Sequence, residues 1–131
     1  MKINHIGYVV QSLDRSAKFY CDNFGYSVKV GPIFVRNQKV NIVMLRSPES
    51  GDPDLELIVP VGKDSPAFNS QKRRLIINHI CYQTKKYEET LARFEKKVVR
   101  PSMPAPVELF GGGRTFFAYL AGQLTEFLEE V

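Results

Sequence analysis

The sequence predicts an α+β fold: two tandem βαβββ modules forming a cupped mixed sheet with helices on its outer face. Three observations predict it. A six-residue segment recurs with one change, a helical pattern follows each copy, and each half then reads as three strands. The recurring segment is Ile3-Asn4-His5-Ile6-Gly7-Tyr8, which returns as Ile77-Asn78-His79-Ile80-Cys81-Tyr82 at an offset of 74 residues. After the first copy, Leu13, Ala17, Tyr20 and Phe24 fall at helical spacing, with Ser12 as N-cap and Gly25 as stop. After the second, Tyr87, Leu91 and Phe94 mark a shorter, more charged helix.

The strands follow from β-branched and aromatic runs between turn residues. In the first half these are Tyr26 to Val35, Val40 to Arg46 and Asp54 to Val59. In the second half the expected strands are Val107 to Phe110, Arg114 to Leu120 and Leu124 to Leu128. Turns at Pro104-Ala105-Pro106, Gly111-Gly112-Gly113 and Ala121-Gly122 precede them. A crossover of about residues 61–75, holding Gly62, Pro66 and Lys72-Arg73-Arg74, joins modules of about 1–60 and 76–131. One such module alone would leave a sheet face bare, so a single domain built from both is expected over residues 1–131.

Composition fits this size class. At 131 residues the chain suffices for one domain, and 44% hydrophobic residues with nine Phe and six Tyr supply its core. Two cysteines, Cys21 and Cys81, make no disulfide framework and suggest a reduced, cytoplasmic setting. The chain opens directly into a strand-like run, so export and membrane insertion are not expected. The net charge of +4 is mild, and Lys72-Arg73-Arg74 has no interleaved aromatics, so no nucleic-acid partner is expected.

Four residues do not fit a plain core. Glu56 sits in Leu55-Glu56-Leu57-Ile58 and Glu126 in Thr125-Glu126-Phe127-Leu128, each on the last strand of its half. The intervals 5-to-56 and 79-to-126, of 51 and 47 residues, nearly match. A lone strand histidine is more often a hydrogen-bonded core residue, and a lone strand glutamate a solvent-facing one. Recurrence in register across a duplication changes that balance. Two imidazoles and two carboxylates make a mixed N/O ligand set for a divalent transition metal. Strand alternation puts His5, Gly7 and Val9 on one face, like His79, Cys81 and Gln83; Ile6, Tyr8 and Val10 point toward the helices. Glu129 and Glu130 lie too close to Glu126 to be excluded as ligands, although only Glu126 matches Glu56 in register.

On these segments the chain resembles the vicinal-oxygen-chelate superfamily, which includes glyoxalase I, methylmalonyl-CoA epimerase, extradiol dioxygenases and the fosfomycin- and bleomycin-resistance proteins. The motifs that carry the resemblance are Asn4-His5-Ile6-Gly7-Tyr8, Leu55 to Pro60 running into Gly62-Lys63-Asp64-Ser65-Pro66, His79 to Tyr82, Gly112-Gly113-Arg114 and Leu124-Thr125-Glu126. The crossover is especially similar to methylmalonyl-CoA epimerases and short bacterial glyoxalase I proteins. The resemblance implies one divalent ion (Co, Ni, Zn or Mn) on His5, Glu56, His79 and Glu126, in a protein that forms a homodimer.

It also implies a proton transfer at a carbon α to a metal-bound carbonyl, with Glu126 as base and Glu56 as the symmetric candidate for the opposite face. Methylmalonyl-CoA epimerase is the favoured branch; glyoxalase I (lactoylglutathione lyase) and a non-catalytic small-molecule binder are the alternatives. The implied ligand is an acyl-CoA or a glutathione conjugate. Some epimerases carry a second acid–base glutamate on the third strand. Asn41 aligns there and can orient an oxygen but not take a proton. Arg114 is a candidate contact for a carboxylate or phosphate, and a solvated hairpin arginine fits the same pattern. Lys72, Arg73 and Arg74 are candidates for coenzyme A phosphates.

Overall fold

Local signals set the element boundaries. Ser12 is extended (φ −145°, ψ 123°) and its hydroxyl accepts from the Arg15 N–H, while Gly25 takes the left-handed φ of 75° and returns its N–H to the Tyr20 carbonyl. Between them runs helix α1, Leu13–Phe24. In the computed structural model, which describes residues 1–131, α1 lies in a first module with β1 (Lys2–Val9), β2 (Ser27–Val35), β3 (Val40–Arg46) and β4 (Asp54–Pro60). The crossover contains a short helix, α2 (Phe68–Lys72). The second module holds β5 (Ile77–Thr84), α3 (Tyr87–Arg93), β6 (Val98–Pro104), α4 (Val107–Phe110), β7 (Arg114–Leu120) and β8 (Gln123–Glu129). No helix is long and apolar enough to cross a membrane.

Two compact units result, His5–Asn78 and Met1–Asn4 with His79–Val131. In the first, the strand order is β2-β3-β4-β1; β1 runs parallel to β4 and the other pairs are antiparallel. In the second it is β6-β7-β8-β5, with β5 parallel to β8. The same βαβββ plan is thus used twice. One sheet face of each unit packs on its helix. Val43, Leu45, Leu55 and Leu57 are buried against Tyr8, Val10, Leu13, Ala17 and Tyr20. Phe116, Ala118 and Phe127 are buried with Tyr87 against Tyr82, Leu91 and Phe94. Phe127 stacks on both Phe94 and Phe116, at 5.1 and 5.0 Å between ring centroids.

One expected element differs. Val107–Phe110 is a single helical turn, and the first strand after α3 is Val98–Pro104. The N–H groups of Leu109 and Phe110 both donate to the Pro106 carbonyl, and Gly111 closes the turn at φ 63°. A four-residue apolar run does not distinguish strand from helix by period. Strand β6 is hidden because Val-Val-Arg-Pro-Ser-Met-Pro carries two prolines. It tolerates them at the end of its unit's strand order, where a missing N–H breaks no ladder.

The C-terminal strand is tied down by Arg114. Its Nε donates to Glu129 Oε2 at 2.9 Å, its Nη2 to Glu129 Oε1 at 2.8 Å and its Nη1 to Glu88 Oε1 at 2.7 Å. The guanidinium lies 4.4 Å over the Tyr87 ring. Arg114 thereby holds the Glu129 carboxyl down at about 2, below the ordinary 4.5. A carboxylate with a lowered folded value stabilises the fold above its ordinary range and loses that contribution as pH falls toward the folded value. Glu129→Gln is therefore expected to lower the thermal midpoint modestly at pH 7. The gap from wild type should close between pH 4.5 and 2; an offset constant across that window would refute the pairing as its source.

Candidate functional site

The face of each sheet away from its helix carries His5 and Glu56 in one unit and His79 and Glu126 in the other. Alternation along β1 sends Tyr8 and Val10 into the helix-facing core and leaves His5, Gly7 and Val9 on the other side. In parallel register, Gly7 lies beside Glu56 and Cys81 beside Glu126. Each glutamate is therefore a diagonal neighbour, on the same face, of the histidine two residues back along the adjacent strand. The repeat in the sequence becomes a repeat in space.

All four side chains are withdrawn from water: His5 is 0%, Glu56 6%, His79 1% and Glu126 3% exposed. Burying such groups is costly unless they are paired or bind a metal. His5 Nε2 lies 3.8 Å from Glu56 Oε2, and His79 Nε2 lies 3.1 Å from Glu126 Oε2. Adjacent ligands on a divalent ion with bonds near 2.1 Å stand about 3.0–3.4 Å apart. The second pair has that spacing already and the first is a few tenths of an ångström wider. The donor set, one imidazole nitrogen with one carboxylate in each unit, suits a divalent transition metal.

Several contributors carried no signal in the sequence. Thr115, 1% exposed, donates from Oγ1 to Glu126 Oε1 at 2.7 Å, so one carboxylate oxygen is held while the other faces His79. A buried threonine in a strand is ordinary until its partner across the sheet is known. The matching position in the first unit is Ile42, beside Ile58 as Thr115 is beside Leu128. Phe117 packs edge-on to His79, at 5.5 Å and 78°. Cys81 is fully buried in an apolar cluster with Ala105 and Leu128.

Other candidates lie elsewhere. Asn41 is in register with Val59 and Phe34, which puts it on the helix-side face with Val43 and away from Met44 and Glu56. Period two decides this: the site-facing neighbours of Glu56 on β3 are Met44 and Ile42. Arg114 precedes Thr115 and so faces the opposite side, where Glu129, Glu88 and Tyr87 take up its charge. Glu129 is committed to that arginine, and Glu130 is exposed. Lys72, Arg73 and Arg74 are exposed at the end of α2.

The profile of the Glyoxalase/Bleomycin resistance protein/Dioxygenase superfamily matches residues 4–119, and the chain belongs to that superfamily. It is similar to the mitochondrial methylmalonyl-CoA epimerase of Mus musculus, 28% identical over 102 residues, which cover 76% of this chain and 54% of the mouse protein. The Homo sapiens enzyme of that name is 25% identical over 115 residues, covering 86% of this chain and 62% of the human protein. The chain thus spans less than two-thirds of either relative. Among solved structures, methylmalonyl-CoA epimerase from Mycobacterium tuberculosis superposes with a TM-score of 0.85 at 19% identity, over 99% of this chain and 88% of that one. A Streptomyces coelicolor methylmalonyl-CoA epimerase variant in complex with 2-nitronate-propionyl-CoA superposes at 0.83 and 22% identity, over 100% and 98%. At those identities the superpositions show the fold.

The Thr115–Glu126 bond is open to a direct check. Thr115→Val keeps shape and removes the hydroxyl from a buried carboxylate, which should cost about 1.5–3 kcal/mol of stability at neutral pH. Urea denaturation of chelator-treated protein measures it. A cost below about 0.5 kcal/mol would mean that water replaces the hydroxyl and Glu126 is not held by Thr115.

Proposed function

We propose that this superfamily member is a divalent-metal-dependent epimerase that moves a proton at the carbon α to the carbonyl of an acyl thioester, as the methylmalonyl-CoA epimerases it is similar to do by name. One observation carries the reading: two buried His–Glu pairs recur in the same sheet register, in a chain of this superfamily. His5, Glu56, His79 and Glu126 would together hold one ion. When bound, a divalent ion supplies Lewis acidity toward a carbonyl oxygen, which makes the neighbouring C–H easier to ionise.

The proton is then work for the carboxylates. Glu126 is the better-defined carrier, because Thr115 fixes its Oε1 and sets the plane of the group. Epimerisation requires removal on one face of the carbon and return on the other. Asn41 neither faces the site nor carries a titrating group, so Glu56, or a water it orients, is the second carrier. Glu56 lies on the same sheet face as Met44 and Ile42, buried and 3.8 Å from His5 Nε2.

Metal analysis of protein reconstituted separately with cobalt, nickel, zinc and manganese is expected to give one ion per chain. The loaded protein should wash solvent deuterium into the α-position of methylmalonyl-CoA. Glu126→Gln, assayed at saturating metal with occupancy measured, should lose at least about 100-fold in exchange. Full exchange by the chelated protein would overturn the metal role. Brisk methylglyoxal–glutathione isomerisation without any exchange would move the chain to the glyoxalase branch.

A further inference from the structure

Strand β6 makes an irregular approach to β7 that changes where one arginine points. Val98 pairs with Ala118, and both lie on the helix-facing side with Phe116. Regular antiparallel pairing would then set Arg100 opposite Phe116, with its guanidinium directed into the aromatic core. Instead the register slips by one residue and Arg100 pairs with Phe117. One extra residue in an antiparallel strand reverses the face that the next side chain takes, a device common beside active sites. Arg100 consequently stands on the site face, in one row across the sheet with Phe117 and Glu126.

The guanidinium forms no ion pair. Its carbon lies 4.7 Å over the Phe117 ring, which itself packs on His79, and the side chain makes no ion pair or hydrogen bond within the chain. Half-buried, it is held below its ordinary pKa by desolvation, with a smaller opposing pull from Glu126. It remains a cation, since an arginine does not lose its proton in this setting. The first module sharpens the point. The same slip occurs there between Val28 and Val30, and Val30 pairs with Met44 as Arg100 pairs with Phe117. An apolar residue therefore satisfies this position as architecture. The charge in the second module answers some other need.

We propose that Arg100 is a substrate-anchoring and specificity-determining residue: its planar donor fork receives an anionic carboxylate of the ligand that lies against the His79–Glu126 pair. This rests on the epimerase reading and sharpens it, because it makes the substrate an acyl thioester with a carboxylate close to the ionising carbon. Adjacent strands lie about 4.8 Å apart, so two steps put the Arg100 and Glu126 backbones about 10 Å from one another. The two side chains span that gap from either end, leaving room for a few atoms of ligand between donor fork and base.

A double-mutant cycle tests it. The probes are the N-acetylcysteamine thioester of methylmalonic acid and the same thioester with the free carboxylate replaced by a carboxamide. Their binding to the metal-loaded protein is measured by calorimetry, with no turnover needed. Arg100→Met keeps an apolar stem over Phe117 and should weaken the acid roughly 10- to 100-fold while changing the amide less than about threefold. Arg100→Lys should recover part of the loss, and added salt should weaken the acid on wild type more than on the Met variant. Equal weakening of both probes would overturn the proposal in favour of a packing role. So would unchanged binding of the acid, or no binding of it to wild type. Deuterium exchange on the same samples reads the epimerase function separately: binding coupled to Arg100 without exchange would sink that function and leave the anion site standing.

Discussion

Everything at this site depends on the parallel pairing of the first and last strands of each module. A β-sheet places side chains on alternate faces, so a slip of one residue would send Glu56 or Glu126 into the helix-packed core. The pairing Gly7 with Glu56, and Cys81 with Glu126, prevents that and sets each glutamate diagonal to its histidine. The register is itself enforced by the apolar residues between. Leu55 and Leu57 must face α1, as Phe127 must face α3, and the glutamates are left no other side. The same hydrophobic term that folds each module therefore also aims its histidine and glutamate.

That coupling explains what could be read from the residues alone. The histidines and glutamates were legible because each recurs within a repeated apolar pattern, which fixes its face without coordinates. Helix α1 was legible through Ser12 and Gly25, whose capping chemistry is local. Strand β6 was not, since its prolines argue against a strand and only its position at the end of the strand order permits them. Val107–Phe110 could not be assigned because four apolar residues have no period. Asn41 shows a limit of another kind: one residue of uncertainty in alignment is the whole difference between the two faces of β3. Thr115 and Arg100 were invisible because their roles are set by partners on neighbouring strands and, for Arg100, by a bulge.

The crossover and hairpin cations illustrate how context decides a charge. Arg114 follows three glycines and looks poised to receive an anion, yet Glu129, Glu88 and Tyr87 already satisfy its fork and its face. A guanidinium held by two carboxylates has little attraction left for a third. Arg100, in a strand of unpromising sequence, makes no ion pair or hydrogen bond that would use up its fork. Availability of the donor distinguishes them, and availability is a property of the fold.

Duplication supplies two His–Glu pairs in the same register, but their surroundings are not the same. Two departures from symmetry put polar side chains in the second module. Thr115 stands where the first has Ile42, and Arg100 where it has Val30. The Thr115 hydroxyl donates to the Glu126 carboxylate, and the corresponding positions of β3 carry Ile42 and Met44. The Arg100 guanidinium stands on the same face as Phe117 and Glu126, where the first module has the apolar Val30. The two modules thus share the His–Glu pair and differ in what surrounds it, with polar side chains at two positions of the second module where the first has apolar ones.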